Sequence, residues 1–163
     1  MAAPNSDTAA IALGSNLGES QAILERALAR LEREPELTVQ QRSRWYRTVP
    51  IGPPQPAFVN GSALLASTLP PKALLERLLA VETEFGRQRQ QRWGPRVLDL
   101  DLILFGQVIA ATPQLQLPHP RLSERAFVLV PLAEIAPHWR HPVSGQTMAS
   151  LAQALDWSGV CPL

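Results

Sequence analysis

The chain has 163 residues, 45% of them apolar, which is enough for one hydrophobic core and too little for two comfortable domains. Fifteen Lys and Arg against fourteen Asp and Glu leave a formal charge of +1, which excludes the broad positive field of a general nucleic-acid binder and confines any basic patch to one locality. The single cysteine, Cys161, excludes an internal disulfide and a Cys-based zinc centre and fits a reducing compartment. The first ten residues lack the charged and apolar regions of a secretory signal, and no apolar run approaches the ~20 residues needed to cross a bilayer. The expectation is a cytoplasmic protein with no membrane partner, one domain over 1–163, and a flexible segment at 1–7.

Residues 8–13 form a short apolar run expected to be a buried strand, broken by the turn formers Gly14-Ser15-Asn16-Leu17-Gly18. Over 20–34, Ile23, Leu24, Ala27, Leu28 and Leu31 recur at helical spacing, with Ser20 the expected N-cap and Pro35 the stop. Val39, Trp45 and Tyr46 mark a strand within 38–48 whose Gln and Arg residues give it an exposed face. Four prolines and a glycine within 49–56 exclude helix and central strand and leave a loop, after which strand character resumes over 58–68. Pro70-Pro71 opens a second helix with an apolar stripe of Leu74, Leu75, Leu78, Leu79, Val81 and Phe85, ended by Gly86. Residues 87–96 are basic and aperiodic and predict a loop, and 97–105 is the clearest strand in the chain.

The order β-α-β-β-α-β is the split arrangement of ferredoxin-like α+β sandwiches. Beyond it, 115–117 predict a further strand and 127–135 a further helix, while the segment after His141 is too weakly patterned to assign. A fold of this kind hosts many activities, so the chemistry has to come from particular residues.

In Val97-Leu98-Asp99-Leu100-Asp101-Leu102-Ile103-Leu104-Phe105, strand alternation turns Asp99 and Asp101 to one face and Leu98, Leu100, Leu102 and Leu104 to the other. Residues two apart on a strand lie ~6.5–7 Å apart, close enough for both carboxylates to converge on a cation. Two such groups on an apolar strand repel each other unless something positive sits between them. Magnesium carrying phosphates satisfies that condition; a salt-bridged pair facing Arg92 and Arg96 is the competing reading. Just upstream, Arg87, Arg89, Arg92 and Arg96 interleave with Trp93, a run that alone reads as solvated surface. Beside two carboxylates it reads as a triphosphate site, because guanidinium groups meet phosphate oxygens with paired hydrogen bonds. The turn 14–18 lacks both the Gly-Lys-Ser/Thr ending and the dinucleotide glycine spacing, so it reads as a tight connection. His119, rigidly presented between Pro118 and Pro120, is a candidate phosphate contact, and no nucleophilic triad is recognisable, which leaves direct transfer.

Ala12-Leu13-Gly14-Ser15-Asn16-Leu17-Gly18, Tyr46-Arg47-Thr48 with Ile51-Gly52-Pro53, Phe58-Val59-Asn60, the block Arg92-Trp93-Gly94-Pro95-Arg96 running into Leu98-Asp99-Leu100-Asp101, and Pro118-His119 with Arg125 and Phe127 together carry a resemblance. Over most of its length the chain resembles the 6-hydroxymethyl-7,8-dihydropterin pyrophosphokinases of folate biosynthesis. The resemblance implies a ferredoxin-like α+β fold and transfer of diphosphate from ATP to the pterin hydroxymethyl group, with release of AMP. It implies two magnesium ions at Asp99 and Asp101, and a catalytic loop containing Arg87, Arg89 and Trp93. Arg87 and Arg96 would meet the phosphates, with Arg89, Arg92, His119 and Arg125 on the nucleotide side. The pterin would lie between aromatic rings, Trp93 and Phe127 among its contacts. Asn60 and the backbone of Thr48, Val49, Pro50 and Ile51 would read its hydrogen-bonding edge, and Asn16 and Phe58 would close the site. The resemblance also implies a monomer. Val49 stands where the family often has a second proline, Phe58 where a tyrosine is frequent, and Pro120 where an aromatic is frequent. Two other readings compete: an ATP-dependent kinase of another planar alcohol, and a single-strand nucleic-acid binder using 87–96 with Trp93 as a stacking platform.

Overall fold

The computed structural model describes residues 8–50, 52–86 and 95–163. Its elements are β1 (Thr8–Ser15), α1 (Ser20–Glu32), β2 (Leu37–Arg42), β3 (Tyr46–Thr48), β4 (Phe58–Ser67), α2 (Pro71–Glu84), β5 (Asp99–Phe105), β6 (Ala110–Ala111), β7 (Gln116–Leu117), α3 (Ala126–Ile135), α4 (Met148–Gln153) and β8 (Val160–Pro162). A 3-10 turn at Leu122–Glu124 precedes α3. The main sheet runs β5-β1-β4-β3-β8, with β2 also paired to β4, and every pairing is antiparallel. This is the ferredoxin-like order, extended at the outer side of β3 by β8.

Strand alternation divides the core in two. Ala9, Ile11 and Leu13 of β1 pack on one face with Ile23, Leu24, Leu28 and Leu31 of α1 and Leu74, Leu78 and Val81 of α2. Ala10 and Ala12 pack on the opposite face with Val128, Leu129 and Leu132 of α3 and Met148 and Leu151 of α4.

Several expectations need correction. The first strand continues through Gly14 and Ser15, because both pair with β4 and the turn begins only at Asn16. Ser20 is not the N-cap of α1: Glu19 holds that position, and the Ser20 hydroxyl instead meets Ser15 Oγ at 3.1 Å. That helix closes at Glu32, with Arg33 as its C-cap. The strand expected within 38–48 is two strands, since Ser43 pairs its backbone N–H with the Ser62 carbonyl and Trp45 lies against Gly61, where an added Cβ would come within 2.5 Å of the indole. Leu104 does not share a face with Leu98, Leu100 and Leu102. Ala10 pairs with Leu104 and Ile11 with Leu102, so Ile103 is an extra residue, and this bulge turns Leu104 to the α3 side. The strand expected over 97–105 begins at Asp99, and the one expected over 115–117 is the two-residue β7, paired with β6.

Candidate active site

Directly paired residues on adjacent antiparallel strands point to the same face, so the register defines a row across the sheet. Asp99 of β5 pairs with Gly14 of β1, Gly14 with Asn60 of β4, and Asn60 with Tyr46 of β3. A second row joins Asp101, Ala12 and Ser62. Asp99 and Asp101 are half-buried while the intervening Leu100 is buried, as the alternation predicts. Asp99 and Asn60 are two strands apart, roughly 9–10 Å at ordinary sheet spacing. Between them the row has no side chain.

The bare centre of the row has a steric cause. A Cβ at Gly14 would fall 2.6 Å from Asn60 Nδ2 and 3.7 Å from Phe58 Cδ1. Glycine therefore leaves room for the Asn60 amide to lie across β1, where Nδ2 donates to the Leu13 carbonyl at 3.3 Å. On its other side Asn60 Oδ1 accepts a short hydrogen bond from the Thr48 hydroxyl. Thr48 and Asn60 are both buried, so this polar pair is held in one arrangement before any ligand arrives.

Asn16, only 4% exposed, joins three segments. Its Nδ2 donates to Gln55 Oε1 and to the Pro56 carbonyl, both at 2.9 Å. Its Oδ1 accepts from the Arg96 N–H at 2.8 Å, and its own N–H donates to the Arg96 carbonyl at 2.9 Å. The side chain thus ties the end of β1 to the proline-rich loop and to the approach to β5, fixing both walls of the cleft.

The bulge in β5 positions the His119 loop. The Ile103 carbonyl accepts from the His119 N–H at 2.9 Å, which brings the His119 loop alongside the aspartates. His119 Nδ1 accepts from the Arg121 N–H at 3.2 Å, so the neutral ring carries its proton on Nε2 and can donate there. Burial pushes the imidazole below the ordinary histidine range, the Arg125 charge pushes the same way, Asp99 opposes, and Arg121 adds to the depression. The Arg125 guanidinium lies 5.5 Å from the centre of the Phe127 ring at the start of α3. That helix is anchored over β3 by Glu134, whose carboxylate accepts from the Tyr46 hydroxyl and from the Arg44 N–H.

The outer wall beyond Thr48 comes from the segment that the sequence left unassigned. Val160 pairs with Thr48, and the Val49 N–H donates to the Gly159 carbonyl at 3.0 Å. Val49 itself is 67% exposed. Pro50 is half-buried beside it, and Phe58 pairs with Thr48 from β4. Strands of two or three residues have no readable periodicity, and only the pairing reveals β8. Thus Asn16, Thr48, Phe58, Asn60, Asp99 and Asp101 converge on one end of the sheet, with Arg96, His119, Arg125 and Phe127 at its border. Ile51, Arg87, Arg89, Arg92 and Trp93 lie outside the described residues. Gly14 belongs with these residues although it carries no side chain, and a glycine within a strand is the sequence signal of a close approach by another group.

Among the described residues, no three His, Cys, Asp or Glu side chains are grouped so as to hold a metal ion. The donor set at this end of the sheet is the pair Asp99 and Asp101. Two hard oxygen donors suit a magnesium ion that keeps waters and takes its other ligands from a phosphate chain.

Residues 10–137 match the family model described as 7,8-dihydro-6-hydroxymethylpterin-pyrophosphokinase. A 2-amino-4-hydroxy-6-hydroxymethyldihydropteridine pyrophosphokinase of Synechocystis is 45% identical over 95% of this chain and 80% of its own length. A Pseudomonas aeruginosa protein of the same name is 46% identical over 92% of this chain and 93% of its own. Among solved structures, Plasmodium falciparum HPPK-DHPS with pteroate superposes with a TM-score of 0.74 at 13% identity, covering 90% of this chain and 42% of that one. The chain therefore spans less than half of that longer protein, and the likeness to it is one of fold.

Proposed function

The chain belongs to the 7,8-dihydro-6-hydroxymethylpterin-pyrophosphokinase family, and from that premise we propose how its cleft transfers diphosphate from ATP to the hydroxymethyl group of 6-hydroxymethyl-7,8-dihydropterin in folate biosynthesis. The observation that carries the reading is the row Asp99, Gly14, Asn60, in which a carboxylate and a preset amide face the same side, the amide reaching over the glycine between them.

The pterin lies over Gly14, its hydrogen-bonding edge met by Asn60 and by the backbone of Thr48 to Ile51. Phe58, Phe127 and Trp93 supply the apolar surfaces a flat ring system needs. This orientation sends the hydroxymethyl group toward Asp99. The ATP phosphates lie along β5, where Asp99 and Asp101 would hold magnesium, two ions in our reading. When bound, magnesium neutralises phosphate charge and makes the attacking hydroxyl more acidic. The hydroxymethyl oxygen attacks the β-phosphorus, the bond between that phosphorus and the α-bridging oxygen breaks, AMP leaves with the electron pair, and the hydroxyl proton passes to solvent.

Arg87 and Arg96 meet the charge that develops on the transferred group. Arg89, Arg92, His119 and Arg125 hold the remaining phosphates and the nucleotide. His119 suits this role as a neutral Nε2–H donor. Asn16 keeps the two walls at a fixed separation, which matters because the reaction needs positioning more than a strong base.

We also propose that the protein acts as a single-domain cytoplasmic monomer without nucleic-acid partners, in keeping with a net charge of +1. The testing experiment mixes purified protein, ATP, magnesium and the pterin and separates the nucleotides by chromatography. Pterin-dependent AMP without ADP is expected. Formation of ADP would point to transfer of the terminal phosphoryl group, and absence of any nucleotide product would remove the assignment.

A further inference from the structure

Glu82 is 2% exposed, on the face of α2 that packs against β5. A carboxylate is costly to bury unless the fold uses it. Its position, four residues after Leu78, is one a leucine would occupy in a purely structural helix. The use is visible: Glu82 Oε2 accepts from the Leu100 N–H at 2.6 Å. Leu100 is the residue between Asp99 and Asp101, and β5 is the edge strand of the sheet. The donor belongs to the peptide unit joining Asp99 to Leu100. Gripping that unit fixes the rotation after Asp99 and before Leu100, and hence the directions in which the two aspartate side chains leave the strand. On the inner side β1 holds the same strand through its ladder; on the outer side the grip comes from Glu82.

We propose that Glu82 is a positioning residue: by clamping the peptide between Asp99 and Asp101 from behind, it sets the separation at which the two carboxylates meet the magnesium of the ATP complex. This deepens the reading of Asp99 and Asp101 given above and rests on it. What matters in this role is reach and an acceptor oxygen at the right height, whereas charge is secondary.

Two substitutions separate these attributes. Glu82→Gln keeps the length and an acceptor oxygen but removes the charge, while Glu82→Asp keeps the charge and falls short by one methylene. Manganese binding in the presence of α,β-methylene-ATP, which cannot be cleaved at the relevant bond, is read by electron paramagnetic resonance and needs no turnover. Glu82→Asp is expected to raise the half-saturating manganese concentration at least tenfold, and Glu82→Gln to leave it within threefold of wild type. The KM for the pterin should stay within twofold in both. The idea is overturned by wild-type affinity in Glu82→Asp, by equal losses in the two variants, or by a parallel rise in pterin KM, which would mean general loosening.

A measurement on the unaltered protein guards against a variant that does not fold. The Leu100 amide should exchange with solvent as slowly as the core of β1 despite lying on an edge strand, and rapid exchange would sink the proposal. Failure of the underlying assignment looks different: the wild-type protein would then make no pterin-dependent AMP, whatever its Glu82 variants did to manganese binding.

Discussion

At the β5 end of the substrate row, two carboxylates stand half-exposed on a strand whose neighbouring leucines are buried, whereas at the β3 end Asn60 and Thr48 are buried and bonded to each other. In the proposed reading the first arrangement is the one that meets the incoming cations and phosphates. The second is complete before binding and offers a fixed template. Substitution at the charged end should therefore cost function and spare the fold, while substitution at the polar end should cost both.

The largest effect is expected at the charged end. Asp99→Asn or Asp101→Asn should lower kcat/KM by about a thousandfold or more, since the group lost is the one holding the charge-neutralising ion. The melting temperature should stay close to that of the unaltered protein, because both side chains are half-exposed and outside the packed core. Steady-state kinetics with a thermal melt checks both halves, and a variant that loses activity by unfolding would break the contrast.

Next comes Asn60→Leu. It strands the Thr48 hydroxyl in a buried setting, which by the usual cost of an unsatisfied polar group is about 1–3 kcal/mol of stability. It should also raise the KM for the pterin by about a hundredfold, a hydrogen-bonding edge of a substrate being lost at each partner group. Urea unfolding and pterin titration measure the two losses. Gly14→Ala should be milder. The new methyl drives the Asn60 amide out of place, so the pterin KM should rise about tenfold while the KM for ATP stays within about twofold.

The smallest effect concerns His119, at the border of the charged end. Its folded pKa lies below the ordinary value of about 6.5. The stability gained by burying the neutral ring is therefore complete above that pH and is lost as pH falls toward the folded value, because the unfolded chain takes up the proton first. The proton resonances of the ring should titrate with a midpoint below about 6.5. Asp99→Asn should move that midpoint lower still, since the Asp99 charge favours the protonated ring. A rise instead would mean that the two groups do not share a field.

The parts of this molecule that were legible in its sequence are those governed by short periods. The alternation of Leu98, Asp99, Leu100, Asp101 and Leu102 gave both the strand and the face of the carboxylates, and the stripes of Leu24, Leu28 and Leu31 and of Leu74, Leu78 and Val81 gave the two helices on one side of the sheet. What escaped were contacts between distant segments. Asn16 reads as a turn residue, and nothing near it announces bonds to Gln55, Pro56 and Arg96. Ser20 looked like a cap because capping is local, whereas its real partner, Ser15, is set by how the strand enters the turn. Glu82 left a trace, a charged residue on an apolar helical stripe, but its meaning appears only once β5 lies beside it. Leu104 was assigned to the wrong face because a bulge is a property of two paired strands, and one strand's sequence does not encode it.

In evolutionary terms, the extra residue at Ile103 makes the codons of β5 unequal. Losing Leu100 removes the residue that separates the two aspartates in the alternation and leaves only one of the pair facing the cleft. Losing Ile103 restores strict alternation and leaves them facing the cleft, at the cost of one buried side chain and the carbonyl that holds the His119 loop. In a scan of single-codon deletions through 99–105, loss of Leu102, Ile103 or Leu104 should give the same unbulged strand and still bind manganese, whereas loss of Leu100 should not. The bulge is thus the place where the strand's length can drift through a lineage without inverting its carboxylates.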